Sequence, residues 1–310
     1  MVSGSVALIL EANPDLTWRD VQHILARAAR LTQSKKIIWQ ITPGGLFTSS
    51  SLGFGVLDVT RAVNLAQGWK NVGPLCVAEF KYGKDPTSTW SDGYADESSA
   101  NVISDLFGWY SFIRKTKQAP ILMKINSEES AEILLYLKSS QAGLYTIPEQ
   151  QGKDKLKNKP CDAEIIEWLL VEVKTIHACR GSLTVTLTSP AMTVSVLLTS
   201  RPKDRFAGTF THKFKVLQPM GEKIDGRWKL RFLDNGSCRN SYVSQLESGY
   251  RGHVVNIAIS AFATSTTDSP YSLNKALLDK QILSIAKDVM ISGKTRVPTL
   301  QELTNAIDES

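Results

Sequence analysis

Cysteine and histidine are scarce in this chain, with four of each among 310 residues. Cys76, Cys161, Cys179 and Cys238 form no CxxC pair, and His23, His177, His212 and His253 do not cluster with them. No zinc site is indicated, and no catalytic, cofactor-binding or metal-binding residue is assigned within the chain. Long apolar runs are lacking too, since nothing approaches the ~18–20 uninterrupted apolar residues of a membrane span. The N-terminus lacks a secretory leader, because Met1 to Leu10 run straight into a helical pattern without a basic region before it. Charge of one sign is weak: 36 Lys and Arg against 30 Asp and Glu leave +6, spread thinly. With 42% hydrophobic and 21% charged residues, the composition excludes a disordered or collagen-like chain.

Four widely spaced cysteines fit two disulfides in an oxidising compartment, and equally fit four buried thiols. Asn235-Gly236-Ser237 is a formal glycosylation sequon, a short match that arises easily by chance.

Helical periodicity dominates the start of the chain. Val2 to Leu10 are small or apolar nearly all round, the mark of a helix enclosed in a larger body. Asn13-Pro14-Asp15 ends it. Thr17 with Asp20 forms a capping-box pattern, Leu16 and Val21 a hydrophobic staple, and Val21, Ile24, Leu25 and Ala28 a buried stripe. After a Ser/Gly/Lys-rich loop over 34–55, residues Leu57 to Trp69 read as a third helix closed by Gly68 and Pro74. The first 70 residues show no strand pattern, so the apolar first helix lacks an obvious partner and the segment reads as the edge of a domain.

From about 161 the period changes to two. Leu169 to Ile176, Leu183 to Thr188, Thr193 to Leu197, Trp228 to Phe232 and Val255 to Ile259 alternate, with turn signals between them. Short strands at this spacing imply an antiparallel sandwich or jelly roll. The stretch 81–160 combines a Ser/Asp-rich part (Pro86 to Ser104), an aromatic group (Phe107, Trp109, Tyr110, Phe112), a helical spacing from Glu128 to Lys138 and a lysine-rich loop from Lys153 to Lys159. Residues 270–310 read as a polar tail.

Each side chain with chemical potential has a structural reading that outweighs the functional one. His23 and Asp20 lie three apart on one helix, but Asp20 is accounted for as a cap and His23 as a packing residue. Ser3 and Ser5 sit among small residues of a packed helix. His177 on its strand is a ligand only if others converge on it. Four lysines with Asp154 among them make a solvated loop rather than a nucleic-acid site, and Trp109-Tyr110 beside Arg114 and Lys115 reads as a hydrophobic cluster rather than a base-stacking platform.

Met1 to Ile24, with Leu16-Thr17-Trp18-Arg19-Asp20-Val21-Gln22-His23 as its most specific string, together with Leu52-Gly53-Phe54-Gly55-Val56-Leu57-Asp58 and Trp69, resemble the helix pair behind the nucleophile, and the segment after it, in subtilisin/kexin-type proprotein convertases. The strand-rich half is similar to the same family's P domain, a jelly-roll barrel: Ile166-Glu167-Trp168 stands where the family has Leu-Glu-His, and Arg180-Gly181-Ser182-Leu183 where it has Arg-Gly-Asp-Leu. Ser189-Pro190, Leu197 to Asp204, Gly221-Glu222 and Gly226-Arg227-Trp228 follow the family's runs. Two family tryptophans are replaced, one by Met220 and one by His212. The Ser182 of Arg180-Gly181-Ser182 removes the aspartate that an adhesion motif requires.

The resemblance implies a mixed chain: residues 1–75 as C-terminal helices of a subtilisin-like α/β catalytic domain, 76–160 as a linker or insertion with the start of the P domain, 161–265 as the P-domain barrel and 266–310 as a tail. It implies a serine endopeptidase that processes precursor proteins at paired basic residues in the secretory pathway. Calcium would be held by ligands outside this chain, and the P domain would support folding of the catalytic domain, its partner. The resemblance places the nucleophilic serine just upstream of Met1, with the aspartate, the histidine and the oxyanion-hole asparagine further upstream, so the triad is expected to be absent from these residues. The alternative is a non-catalytic β-sandwich that stabilises or binds another protein.

Overall fold

Antiparallel sheet is the dominant regular structure, with three α-helices ahead of it, in a computed structural model that describes residues 1–32, 37, 39–82, 123–126, 130–139, 143–147, 163–236 and 250–265. The readings made for Pro86–Ser104, the aromatic group at 107–112, the lysine-rich loop at 153–159, Cys161, Ser237, Cys238 and the tail at 270–310 lie outside the described residues.

Helix α1 (Val2–Ala12) and helix α2 (Trp18–Ala28) are separated by the Asn13-Pro14-Asp15 break, and α3 (Val59–Gln67) packs on both. The capping box of α2 is formed in full: the Asp20 backbone N–H donates to Thr17 Oγ1, and the Thr17 N–H donates to Asp20 Oδ2 at 2.8 Å. Leu16 and Val21 close the staple, and Ile24 and Ala28 join Ile9, Ala62 and Ala66 in a small core. The Asn13 Nδ2 amide donates to the Ala66 carbonyl and ties the first turn to the end of α3. Two short strands, β1 (Gln40–Ile41) and β2 (Phe47–Thr48), form a hairpin within a region that showed no strand pattern in sequence. As expected of a helix that lacks its partner, α1 is not enclosed by the described residues. Only Ser5 and Ile9 are buried, while Val2, Leu8 and Leu10 are 59%, 49% and 37% exposed, because α3 covers one side of it alone.

The remaining strands form two sheets. One has the order β10 (Gly208–Val216), β7 (Ile165–His177), β12 (Tyr250–Thr264), β3 (Leu75–Tyr82), β6 (Gly143–Ile147), with β4 (Met123–Asn126) paired to β12. The other runs β5 (Ser130–Leu137), β11 (Gly226–Asp234), β8 (Leu183–Thr188), β9 (Val194–Leu198). Every pairing is antiparallel. One core lies between them: Phe80, Val171, Val173, Ile257 and Ile259 from the first sheet meet Leu135, Leu187, Trp228, Leu230 and Phe232 from the second. At roughly 25 cal/mol for each Å² of apolar surface removed from water, such large side chains dominate the stability of this part.

The helical spacing at Glu128–Lys138 is overturned. Residues 130–137 are strand β5, with Ile133, Leu135 and Leu137 turned into the core and Tyr136 facing out, in register with β11 from Leu137 opposite Gly226 to Ser130 opposite Leu233. Pairing to β11 decides the conformation of this stretch over its local propensity. The sheets therefore draw strands from 75–147 as well as from 165–264. Cys76 and Cys179 are both disulfide-bonded, so for them the thiol alternative is closed.

Candidate functional site

The helices meet the sheets along a buried polar seam built by a β-bulge. In the β7–β12 ladder Phe262 lies opposite Trp168 and Ala263 opposite Ile166, leaving Glu167 as the extra residue. A bulge releases its side chain from the pleat and re-aims it, and here the Glu167 carboxylate turns to helix α2. Arg19 binds it in a fork: Nε donates to Oε2 at 3.0 Å and Nη2 donates to Oε1. The imidazole of His23, one turn further along α2, brings Nε2 to 3.3 Å from Oε2. Arg19 and His23 are fully buried and Glu167 is 1% exposed. Burial alone pushes the Glu167 carboxyl up, but its hydrogen bonds to His23 and Arg19 and their charges outweigh that and hold it below the ordinary carboxylate range.

Arg19 also donates from Nη1 to the Gly73 carbonyl at 2.7 Å, and the buried Asp20 accepts from Trp69 Nε1 at 2.9 Å and from the Val72 N–H at 2.8 Å. The cap read from sequence is thus also the knot that fixes the end of α3 and the entry to β3. On the outer side, Trp168 stacks on Phe262 at 4.8 Å, carries Trp18 at 5.5 Å, and receives the Lys215 ammonium 4.9 Å above its ring.

A second line of contact runs through residues 217–222. Met220, which stands in place of a family tryptophan, is fully buried with Ala26 and Leu46, flanked by Phe54 and Leu217. A flexible thioether fills this irregular space without a polar group to satisfy. Gly44 lies against the backbone there: a Cβ would sit 2.3 Å from the Met220 carbonyl oxygen. Gln40 acts as a strand fragment toward the edge of β9, its Nε2 donating to the Val194 carbonyl at 2.6 Å while its Oε1 accepts from the Val194 N–H at 3.1 Å.

The other residues singled out in sequence take structural places. His177 ends β7 fully buried with Nε2 3.2 Å from Asp234 Oδ2, a polar link from one sheet to the other. Its Nδ1 accepts from the Cys179 N–H at 3.0 Å, so no substrate reaches either nitrogen. Arg180 of the Arg-Gly-Ser turn is bidentate to Asp204, at 2.8 and 3.0 Å, and Arg201 adds a bond at 3.1 Å. The Arg180 hydrogen bond above all holds the Asp204 carboxyl down to about 2. Gly181 permits the turn, because a Cβ there would meet the Asp204 and Arg201 carbonyl oxygens at 2.1 and 2.3 Å. His212 lies between Phe210 and Phe214, and burial above all pushes its imidazole pKa down. Ser5 donates to the Met1 carbonyl, whereas Ser3 is exposed on α1 rather than packed. Among the described residues no three His, Cys, Asp or Glu side chains converge as a metal site, and no helix is long and apolar enough to cross a membrane.

Trp18-Arg19-Asp20…His23 and Ile166-Glu167-Trp168, separate motifs in the sequence with nothing there to link them beyond ionisable groups of opposite sign flanking a change of periodicity, meet in the fold. Residues 166–247 match the family model of the proprotein convertase P-domain. The resemblance to the proprotein convertases holds. The chain is 30% identical over 245 residues to endoprotease bli of Onchocerca volvulus, covering 77% of this chain and 28% of that protein. It is 29% identical over 237 residues to human proprotein convertase subtilisin/kexin type 6, covering 76% of this chain and 19% of that one. The chain thus spans less than a third of the length of these curated relatives. In fold it is similar to the serine protease of Aeromonas sobria solved with its chaperone, at a TM-score of 0.53 and 17% identity, over 85% of this chain and 43% of that one.

Proposed function

We propose that the chain is the C-terminal portion of a calcium-dependent serine endopeptidase that cleaves precursor proteins after paired basic residues in the secretory pathway. The sandwich, read as a P-domain jelly roll, braces the helices that stand behind the nucleophile of the catalytic domain. One observation carries this reading. The helical motif and the strand motif that resemble the family meet through a single buried carboxylate, Glu167, held by Arg19 and His23. Any displacement of α2 along the sheet would strand an ionised group away from water, which costs several kcal/mol. The disulfide bonds at Cys76 and Cys179 suit an oxidising compartment.

The described residues do not fit a calcium site. Glu167, Asp20, Asp234 and Asp204 are each turned to cationic side chains, a histidine or N–H donors rather than to a shared centre. The calcium that the resemblance implies would be held by ligands outside this chain. The non-catalytic reading gains support only from the same bracing geometry.

The test uses the full-length protein with a fluorogenic Arg-Lys-Arg peptide. Cleavage is expected with the full-length protein and not with residues 1–310 alone. Glu167→Gln should lower the yield of active enzyme about tenfold or more, with KM unchanged in the fraction that folds. A full-length protein that never cuts the peptide sinks the protease assignment, and a Glu167→Gln enzyme of normal yield sinks the brace.

A further inference from the structure

Two glutamates are buried at the junction, and they are treated in opposite ways. Glu167 faces a guanidinium and an imidazole. Glu222, 2% exposed, faces neither: Thr193 donates its hydroxyl to Oε1, Ser189 supplies the other hydroxyl, and Oε2 is shielded from water with no hydrogen-bond partner. Among the described residues the surrounding elements offer no compensating charge. The turn 189–193 is Ser-Pro-Ala-Met-Thr and the hairpin segment 40–48 carries no charged residue. On the Glu222 segment itself Lys223 is exposed. At the start of β7, Glu164 is exposed and Glu167 is engaged with Arg19 and His23.

The backbone of Glu222 is fixed from both sides. Its carbonyl accepts from the Ile166 N–H at 2.8 Å and its N–H donates to the Pro219 carbonyl at 3.1 Å, which holds the main chain at Glu222 against β7. An ionised carboxylate held dry by two hydroxyls is far costlier than a neutral acid in the same place.

We propose that Glu222 is a neutral carboxylic acid in the folded chain and that its ionisation releases the turn at 189–193, a pH-sensitive latch on the seam. The turn is bound on one side by Glu222 and is followed on the other by Val194, the residue gripped by Gln40. Losing the first hold therefore loosens the second. Burial, the largest influence on the Glu222 carboxyl, raises its pKa above the ordinary glutamate value, and the two hydroxyls offset this only in part. A raised folded-state pKa gives stability that is full below the unfolded value, about 4.3 for glutamate, and declines as pH rises through the folded value. The latch is thus closed in acid and opens toward alkaline pH. Its consequence for the helices rests on the bracing role proposed above, whereas the protonation state does not.

The experiment has two arms on residues 1–310. The carbon-13 resonance of the Glu222 carboxyl is followed with pH in the wild type, and amide exchange over 189–194 is measured across the same range in the wild type and in Glu222→Gln. The Glu222 resonance should titrate above the other glutamates, and wild-type protection should fall at least fivefold as it does. Glu222→Gln, which keeps the shape and neutrality of the acid, should show no such fall. A resonance that is ionised throughout, as a bound cation would also produce, overturns the latch. So does equal loss of protection in both proteins. Should Glu222→Gln fail to fold, the wild-type titration alone decides the protonation. If the turn opens while α2 stays protected, the latch stands and the brace falls.

Discussion

Residues 1–73 and the two sheets bury apolar surface on different scales. Between the sheets, Leu135, Leu169, Leu187, Trp228 and Phe232 are shielded to within a few per cent, and Trp228 satisfies its indole N–H on the Ile224 carbonyl at 2.9 Å. Among the helices the shielded set is Ile9, Ile24, Ala28, Ala62 and Ala66, three of them alanines, while Leu8 and Leu10 face outward. A groove of about 410 Å³ between α1 and α3, lined by Leu8, Ala12, Val59 and Val63, stays open. The sheets thus carry a core of their own, and the helices borrow order from the seam. That seam uses directional groups, a forked Arg–Glu pair and a side-chain amide on a strand edge, where greasy contact would permit sliding. Buried ion pairs of this sort add little net stability over an apolar isostere, but they make any other register costly.

The largest expected effect follows from the sheet core. Phe232→Ala should cost about 3–5 kcal/mol, and because the seam is built on β7, which shares the inter-sheet core with Phe232, helix protection should fall with sheet protection. Ile24→Ala, with a cost of about 2–5 kcal/mol to the helices, should leave the amides of β7 and β12 protected in native-state hydrogen exchange. Equal loss in both regions from Ile24→Ala would show one cooperative unit instead of a core and a dependant.

A smaller effect isolates the seam from both cores. Gly44→Ala places a methyl 2.3 Å from the Met220 carbonyl oxygen and 2.9 Å from Gly221 Cα, both backbone atoms that cannot step aside cheaply. Overpacking of this kind costs about 1–3 kcal/mol. Gly4→Ala, on α1 with nothing within 4 Å of its Cβ, should instead stabilise by about 0.5–1 kcal/mol through helix propensity. Urea unfolding of the pair tells whether closeness at residue 44 matters or whether any added methyl is tolerated.

Legibility in the sequence followed the same division. The helices were readable because their signals are local: the Thr17–Asp20 box, the Leu16–Val21 staple and the Asn13-Pro14 break each lie within one turn. The strands of 165–264 were readable from period-two alternation. Strand β5 was not, because Leu134 between Ile133 and Leu135 fills the gap in the alternation and Glu128, Glu129 and Glu132 favour a helix. Its conformation is set by β11, almost a hundred residues away in sequence. Glu167 was legible only as part of a motif. The bulge that aims it depends on a register slip against β12, which no local pattern encodes. Glu222 gave no sign of its burial, since a Gly-Glu pair beside Lys223 reads as a polar turn.

The smallest effect sharpens the contrast between buried and half-exposed ion pairs. Arg180, Arg201 and Asp204 repeat the chemistry of Arg19 and Glu167, yet the Arg180 and Arg201 side chains are about a third exposed and Asp204 one fifth. Water screens them, so Asp204→Asn should cost only about 1 kcal/mol at neutral pH. The Asp204 carboxyl titrates at about 2 in the folded chain against about 3.9 unfolded. A lowered folded-state pKa gives stability that is full above the unfolded value and lost as pH falls through the folded one. The difference between wild type and Asp204→Asn should therefore shrink between about pH 4 and about pH 2 and close below it, measured as the urea midpoint at each pH. A difference that holds constant through that range would mean that the asparagine perturbs the turn by shape, through the crowded Gly181 contact, and that charge does not hold this loop.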